Sequence, residues 1–159
     1  MRQQLARLGG GAHALAIQIL GNSEDAADAV HDAFAVVLAK PGAYDARKGP
    51  LRPWFLKVVR NRCLDMLRRR RATGPDPDEL AAGTASPEQA AGEAERSAAI
   101  TLALGTLPAE RREIVILRDY LDLSYAEIAE VLGVAPGTVM SRLHRARLAL
   151  KEALKAYEP

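Results

Sequence analysis

The sequence predicts an all-α protein made of two small helical domains joined by a flexible acidic linker. Alanine and leucine dominate its 159 residues, aromatic residues make up only 4%, and no segment sustains the period-two alternation of a strand. Residues 72–87 (ATGPDPDELAAGTASP) combine proline, glycine and acids without helical periodicity, so we interpret them as the linker. The first domain is therefore expected over residues 1–71 and the second over residues 88–159.

In the first domain, Ser23 precedes an amphipathic helix that is predicted to run to about Ala39. Its apolar residues recur at helical spacing: Ala27, Val30, Phe34 and Leu38. An acidic stripe lies beside them: Asp25, Asp28 and Asp32. A loop over residues 40–52 follows, and Pro53 suits the first turn of a long helix that ends near Arg71.

The second domain is predicted to begin with a helix over about residues 88–104. Pro108 breaks the helical pattern, which resumes over about residues 109–120.

The rest of the second domain has the pattern of a helix-turn-helix. Ser124 and Glu127 have the spacing of a capping box, and Gly133 suits the left-handed residue that ends a helix. Pro136 begins the final helix, which carries a continuous apolar stripe on one side: Val139, Leu143, Ala146 and Leu150. A short helix, a tight turn with glycine and a second, basic helix together predict this motif.

The formal net charge of +2 conceals an uneven distribution. Residues 47–71 hold ten lysines and arginines against one acid, residues 73–99 hold six acids against one arginine, and residues 136–155 hold five bases against one acid. Two basic blocks separated by an acidic stretch indicate two polyanion-binding surfaces.

The first basic block has the chemistry that single-stranded nucleic acid requires, because cations follow the phosphates and aromatic rings stack on unpaired bases. Its candidate contact residues are Tyr44, Arg47, Lys48, Arg52, Trp54, Lys57, Asn61 and Arg62. Two alternatives stay open: Trp54 could belong to the core, and the arginines at 68–71 could only complement the dipole of their helix.

The final helix is expected to face duplex DNA. Opposite its apolar stripe lie Gly137, Ser141, His144, Arg145 and Leu148, with Arg142 at one edge and Met140 and Arg147 at the other. Short residues at a helix start let the backbone approach a phosphate, and arginine pairs with guanine in the major groove. The alternative is an ordinary solvated face.

Catalysis and cofactors are not expected, because the sequence has no acid pair, nucleophile elbow or phosphate-binding loop. Cys63 is the only cysteine, which excludes an intramolecular disulfide, and its place on an apolar helix face predicts a buried thiol. The three histidines are too scattered for a metal site. Without a signal sequence or a long apolar run, a cytoplasmic protein with no membrane insertion is expected.

Three segments resemble the extracytoplasmic-function (group 4) sigma factors of bacterial RNA polymerase. The segment ILGNSEDAADAVHDAFAVVL looks like regions 2.1–2.2 of that family, and YDARKGPLRPWFLKVVRNRCLDMLRRRR looks like regions 2.3–2.4. The segment LPAERREIVILRDYLDLSYAEIAEVLGVAPGTVMSRLHRARLAL looks like region 4. The most specific parts are the set Trp54, Arg60, Asn61 and Asp65 and the run from Gly137 to Leu143.

This resemblance implies a non-catalytic subunit that binds core polymerase and directs promoter-specific initiation. In the family, the helix with the acidic stripe docks on the clamp helices of the β′ subunit, and the β flap and an anti-sigma factor are further partners. The loop and the Trp54/Asn61 face would bind and melt the −10 element. The final helix would read the −35 element with Gly137, Thr138, Ser141, Arg142, His144 and Arg145.

The chain also departs from the family. Gly9, Gly10 and Gly11 interrupt its N-terminal segment, at about 1 kcal/mol per glycine relative to alanine in a helix. Met140 stands where a lysine or arginine is common, so we expect an altered −35 preference. Two alternatives to an initiation factor are a sigma mimic that sequesters an anti-sigma factor and a helix-turn-helix repressor. The first basic block argues against a mimic, which has no need of so many phosphate-binding cations.

Overall fold

The computed structural model describes residues 2–73 and 93–157, and all regular structure in these two ranges is helical. The long helices are α1 (Arg2–Leu20), α2 (Ser23–Ala39), α3 (Leu51–Ala72), α4 (Glu93–Gly105), α5 (Ala109–Val115), α6 (Tyr125–Leu132) and α7 (Pro136–Leu154). A π-helical segment, Ile116–Tyr120, continues α5. Almost all of the predicted linker, and the first residues of the helix predicted from residue 88, lie outside the described residues.

Helix α1 is continuous across its three glycines, so the predicted interruption is wrong. Buried apolar residues on both sides of them, such as Leu5 and Leu15, anchor the helix. A Cβ at Gly11 would stand only 2.9 Å from Cδ2 of Leu121, whereas one at Gly10 would meet nothing within 4 Å. Gly11 therefore makes room for a side chain of the C-terminal domain.

Helix α2 begins as expected, but its buried face differs from the predicted one. Asn22 is the N-cap, and its side-chain oxygen accepts hydrogen bonds from the backbone of Glu24 and Asp25. The buried residues are Ala26, Ala29, Val30, Ala33 and Val37. Of the predicted stripe only Val30 is fully buried; Ala27 and Leu38 are exposed. Three of the five buried residues are alanines, and α2 packs against both α1 and α3. The predicted stripe instead followed the larger side chains of Phe34 and Leu38.

Helix α3 lies against α1 and α2 and completes the N-terminal domain. It begins at Leu51, so Pro53 lies in its first turn as predicted, and only the last two residues of the predicted loop over 40–52 belong to the helix. Phe55 is fully buried, and its ring centroid lies 4.9 Å from that of Phe34 on α2. Val59 and Cys63 are also fully buried on this apolar face, as predicted for Cys63.

The helix-turn-helix has the predicted caps. The Ser124 hydroxyl accepts from the backbone of Glu127 at 3.1 Å, and the Glu127 carboxylate accepts from the backbone of Ser124 at 2.9 Å. Gly133 ends α6 with φ of +70°, a conformation that favours glycine. Three of the four residues of the predicted stripe on α7, Val139, Leu143 and Ala146, are fully buried.

The two domains pack against each other around one continuous core. Helix α1 contacts α5, and α3 contacts α6. Arg112 of α5 donates from Nε and Nη2 to the carbonyl oxygen of Gln18, at 3.1 and 2.8 Å. That carbonyl is in the last turn of α1, where it has no partner inside the helix.

Arg60 of α3 and Glu113 of α5 form the second polar contact between the domains. The guanidinium meets the carboxylate through two hydrogen bonds of 3.0 and 3.1 Å, and the side chains are only 17% and 5% exposed. Burial raises the pKa of Glu113, while the hydrogen bonds and charge of Arg60 act in the opposite direction.

Candidate nucleic-acid interface

The loop between α2 and α3 brings two aromatic rings together. Tyr44 and Trp54 lie with their centroids 5.1 Å apart, and both are half-buried. The Tyr44 hydroxyl donates to the carbonyl oxygen of Gly49 at 2.7 Å, which closes the loop on itself. Gly49 has φ of +151°, outside the range that side chains tolerate well. The structure thus forms a small aromatic platform beside the basic residues of α3.

Cations surround this platform, but not all of them are available. Lys48 and Lys57 are exposed, and Asn61 also faces outward from α3. Arg47 is 92% exposed and pairs with its neighbour Asp45 at 3.2 Å. Among the remaining members of the predicted set, Arg52 is half-buried and Arg62 is held in ion pairs.

The acidic stripe of α2 is largely engaged by α3, which sequence reasoning missed. Asp32 pairs with Arg62 at 2.8 Å, and Arg62 also meets Asp65 at 3.1 Å. Asp25 pairs with Arg70. Of the three predicted polymerase contacts, only Asp28 is without an ion-pair partner among the residues that the structure describes. These pairs tie α2 to α3, and they lower the number of cations that remain for nucleic acid.

Helix α7 presents the predicted set at the protein surface. Gly137, Ser141, His144 and Arg145 are exposed, while Thr138 and Arg142 are half-buried. Arg145 donates to the backbone carbonyl of Ser141 at 3.3 Å and lies 3.4 Å from its hydroxyl. Met140 is 59% exposed beside them. The outer side of α7 is therefore polar, basic and solvent-facing.

A network behind this surface fixes α7 on the rest of its domain. Arg147 forms a two-pronged ion pair with Asp119, which lies in the π-helical extension of α5. Arg118, in the same turn, lies over the ring of Tyr125 at 5.2 Å and donates to the carbonyl of Leu123 at 2.7 Å. Sequence reasoning placed Arg147 at the edge of the DNA-facing side, but its guanidinium is turned towards Asp119.

Cys63 is fully buried, and its thiol is unreactive in the folded protein. Burial raises the pKa of its thiol to about 12, and the nearby carboxylate of Glu113 adds to the shift. Thiols react as thiolates, so a thiol with this pKa is almost entirely unreactive near neutral pH.

We therefore expect Cys63 to resist alkylation by iodoacetamide near neutral pH while the protein is folded. In concentrated urea the same thiol should react completely, because unfolding restores an ordinary pKa. Mass spectrometry of the alkylated fraction measures both. Rapid modification of the native protein would show that α3 opens locally at this point.

No group of histidine, cysteine and carboxylate side chains in the described residues is suited to hold a metal ion. Among those same residues, none of the helices is both long and apolar enough to cross a membrane.

Comparison with known proteins identifies both domains. Residues 5–73 match the family model of sigma-70 region 2, and residues 97–150 match that of sigma-70 region 4. The chain is 37% identical over 145 residues to the ECF RNA polymerase sigma factor SigE of Mycolicibacterium smegmatis. It is 39% identical over 148 residues to SigM of Mycobacterium tuberculosis. These matches cover 88% and 89% of this chain, but 56% and 70% of the two relatives, respectively.

Solved structures share the arrangement of both domains. The sigma factor RpoE from Bartonella quintana, in complex with the anti-sigma factor NepR, has a TM-score of 0.82 at 28% identity, covering 97% of this chain and 96% of RpoE. CnrH, in complex with the cytosolic domain of CnrY, has a TM-score of 0.68 at 26% identity, covering 97% of this chain and 86% of CnrH. The matched regions, the identities to curated relatives and the shared fold lead to one conclusion: the chain belongs to the extracytoplasmic-function family of RNA polymerase sigma factors.

Proposed function

We propose that this chain binds core RNA polymerase in the cytoplasm, without catalysing a reaction itself, and directs it to promoters by recognising a −10 and a −35 element. This proposal rests on one observation: each of the two matched sigma regions has a basic surface. In region 2 it is the aromatic platform with α3, and in region 4 it is the outer side of α7. The functional boundaries would be residues 1–71 for region 2, 72–87 for the linker and 88–159 for region 4.

The region around the aromatic platform would hold the separated −10 strand. Extruding a base costs a few kcal/mol, which a stacking surface together with backbone cations has to offset. Tyr44 and Trp54 supply the rings, and Lys48, Lys57 and Arg47 supply charges at the surface. Asn61 is exposed on the same helix and offers an amide that can hydrogen-bond a base edge.

Helix α7 would read the −35 element in the major groove. Its N-terminal amides and Gly137 suit a phosphate, and Arg145 suits the paired acceptors of guanine. Arg142 is half-buried at the edge of this surface. Met140 adds an exposed apolar side chain that can contact a thymine methyl but not a phosphate, which supports the expectation of an altered −35 preference.

The acidic side of α2 is the proposed contact with the clamp helices of the β′ subunit. Asp28 is exposed, and Asp25 and Asp32 keep 32% and 42% of their side-chain surface despite their ion pairs. A basic partner surface could therefore share these carboxylates with α3. The β flap is the proposed contact of the C-terminal domain, and an anti-sigma factor is the proposed regulatory partner, in line with the complexes of RpoE and CnrH.

Transcription from purified components tests this function. The chain with core polymerase should produce discrete transcripts from sheared genomic DNA, and either component alone should not. Absence of transcripts from every fragment, together with tight binding to an anti-sigma domain, would establish the sigma mimic instead.

Arg145→Ala tests the reading of the −35 element. We expect a loss of about 1–3 kcal/mol in binding a promoter with its native −35 sequence, and a much smaller loss once that sequence is scrambled, because a base contact disappears. Lys151→Ala is the matched control, since it removes one exposed charge from the same helix. Competition binding of holoenzyme to the two promoters measures both variants. An equal loss on native and scrambled sequences would mean that Arg145 contacts only phosphate.

A further inference from the structure

Arg145 and Arg147 lie two residues apart on α7, but they have different partners. Arg145 donates only to neutral oxygens of Ser141, so its positive charge at the surface is not compensated by a carboxylate. Arg147 donates from Nε to Oδ2 of Asp119 at 3.1 Å, and from Nη2 to Oδ1 of the same carboxylate. One of these two arginines is therefore available to an anion, and the other is already neutralised.

The ion pair of Asp119 with Arg147 is not a consequence of burial. The side chains of Arg147 and Asp119 are 47% and 42% exposed, so water reaches both groups. Exposed ion pairs contribute little to the stability of a fold, because solvent screens the charges and both side chains lose freedom. The hydrogen bonds of Asp119 raise the pKa of Arg147 above its ordinary value, and Tyr125 adds to the shift. The pair is thus well formed, but the fold depends little on it.

A π-helical turn determines where Asp119 lies. The amide of Leu121 donates to the carbonyl oxygen of Ile116 at 2.9 Å, and this bond to the fifth preceding residue defines the wider turn. A π turn contains more residues than an α turn, so its side chains point in other directions than those of a continuous α-helix. Such turns are rare and occur frequently at functional sites. The irregular backbone therefore brings this carboxylate to α7.

We propose that Asp119 is a specificity-determining residue: it keeps Arg147 away from the phosphates of duplex DNA, so that binding by α7 depends more on base edges and less on backbone charge. The link to the −35 element rests on the proposed function above. The ion pair itself rests only on contacts within the chain.

The position of Arg147 would let it bind a phosphate once it is released from Asp119. It lies about two helical turns after Met140, on the same side of α7. Met140 is 59% exposed and stands at the edge of the side that is expected to face DNA. Phosphates border the major groove, so a free guanidinium at this edge would meet the DNA backbone and not a base.

A phosphate contact carries no sequence information. On its own site, α7 is held in one orientation by base contacts, whereas on any other sequence it can shift to where a free Arg147 reaches a phosphate. Release of Arg147 would therefore strengthen binding to incorrect sequences more than binding to the correct one. Because specificity is a difference between two affinities, neutralising a cation at the edge of the helix improves it by weakening the non-specific complex.

Asp119→Asn tests the role of the ion pair in the full chain, because it removes the charge of the carboxylate and keeps its shape. Glu130→Gln is the matched control: it makes the same change in net charge on α6, at an exposed residue that pairs with no cation among the described residues. Fluorescence anisotropy with a short duplex of random sequence, over a series of salt concentrations, gives the slope of log affinity against log salt concentration. Circular dichroism establishes that each variant is folded. If Asp119→Asn is not, Asp119→Ala takes its place, with the same expected slope.

Asp119→Asn should make the slope steeper by about 0.9, the contribution of one phosphate contact, and Glu130→Gln should leave it almost unchanged. Arg147→Gln alone should also leave the slope almost unchanged, because Asp119 already neutralises that cation. When Asp119→Asn and Arg147→Gln are combined, the slope should return to that of the parent. Equal changes for Asp119→Asn and Glu130→Gln would overturn the proposal, and so would a shallower slope for Arg147→Gln alone, which would mean that Arg147 contacts phosphate in the parent.

Competition binding of holoenzyme tests the consequence for promoters. With promoters that carry a native or a scrambled −35 sequence, Asp119→Asn should lower the ratio of the two affinities several-fold, mainly by strengthening binding to the scrambled one. An unchanged ratio would overturn the role of Asp119 in specificity. If the parent holoenzyme recognises no promoter at all, the proposed function fails, whereas the slopes on random duplex still decide whether Asp119 keeps Arg147 from phosphate.

Discussion

Phe55→Ala is expected to lower the free energy of unfolding by about 3–5 kcal/mol. Phe55 is fully buried in α3, and its ring packs at 4.9 Å from the ring of Phe34. Truncation removes a large apolar side chain and leaves a cavity between α2 and α3. The surrounding helices can move only partly into that cavity. Because domains of this size are stabilised by only about 5–15 kcal/mol, this would be a large fraction of the total.

Urea denaturation followed by circular dichroism measures the loss. Val36→Ala is the control, since Val36 lies on α2 of the same domain but is 56% exposed, and its truncation should change stability by less than about 0.5 kcal/mol. Trp54, the only tryptophan, reports on the N-terminal domain by fluorescence. Since the core runs through both domains, fluorescence and circular dichroism should give coincident transitions. A loss for Phe55→Ala no larger than that for Val36→Ala would contradict the packing described here.

The features that sequence reasoning predicted well are local ones. The capping box of Ser124 and Glu127, the left-handed Gly133 and the start of α7 at Pro136 all depend on residues within a few positions of one another. Backbone geometry and the hydrogen-bonding needs of helix ends determine them, and both can be read from neighbouring residues. The stripe on α7 was predictable for the same reason, because large apolar residues alternate there with charged ones.

The buried face of α2 shows where periodicity fails. Alanine contributes little contrast in hydropathy, so the predicted stripe followed Phe34 and Leu38, whereas Ala29 and Ala33 are among the residues that are actually buried. A helix that packs closely between two others needs small side chains, and nothing within α2 itself reveals that both neighbours are present. The direction of its face is a property of the assembled domain.

Contacts between residues that are far apart in the sequence could not be predicted from a single sequence. Glu113 follows Arg112 and precedes Ile114 in α5, and no pattern in the sequence identifies Arg60 as the partner of its carboxylate. The ion pairs of Asp25 and Asp32 are similar cases: an acidic stripe and a basic block can each be recognised, but not their contact. The candidate site was therefore predicted as a set of residues, and the structure decides which of its charges are still available.

Promoter binding by the holoenzyme is expected to weaken by at least about 10⁴-fold when the salt concentration rises from 50 to 200 mM. The size of this loss depends on how many lysines and arginines neutralise phosphates. Each neutralised phosphate contributes about 0.9 to the slope of log affinity against log salt concentration. The two basic segments, residues 47–71 and 136–155, together hold fifteen lysines and arginines, which would give a slope of about −13 and a loss of about 10⁸-fold.

Ion pairs within the protein reduce the number of lysines and arginines that can neutralise phosphates. Seven of the fifteen cations meet carboxylates in the structure: Arg47, Arg60, Arg62, Arg69, Arg70, Arg147 and Lys155. Eight have no carboxylate partner among the described residues: Lys48, Arg52, Lys57, Arg68, Arg71, Arg142, Arg145 and Lys151. If these eight alone neutralise phosphates, the chain contributes a slope of about −7.

Two single substitutions on α3 separate the two counts. Lys57→Gln removes an exposed cation without a carboxylate partner and should make the slope shallower by about 0.9. Arg62→Gln removes a cation that Asp32 and Asp65 already neutralise, so it should leave the slope almost unchanged. Filter binding of holoenzyme to one promoter over a series of salt concentrations measures both slopes. Equal changes for the two variants would mean that the ion pairs between α2 and α3 break when DNA binds. The count of all fifteen lysines and arginines would then describe the complex better than the count of the eight without a carboxylate partner.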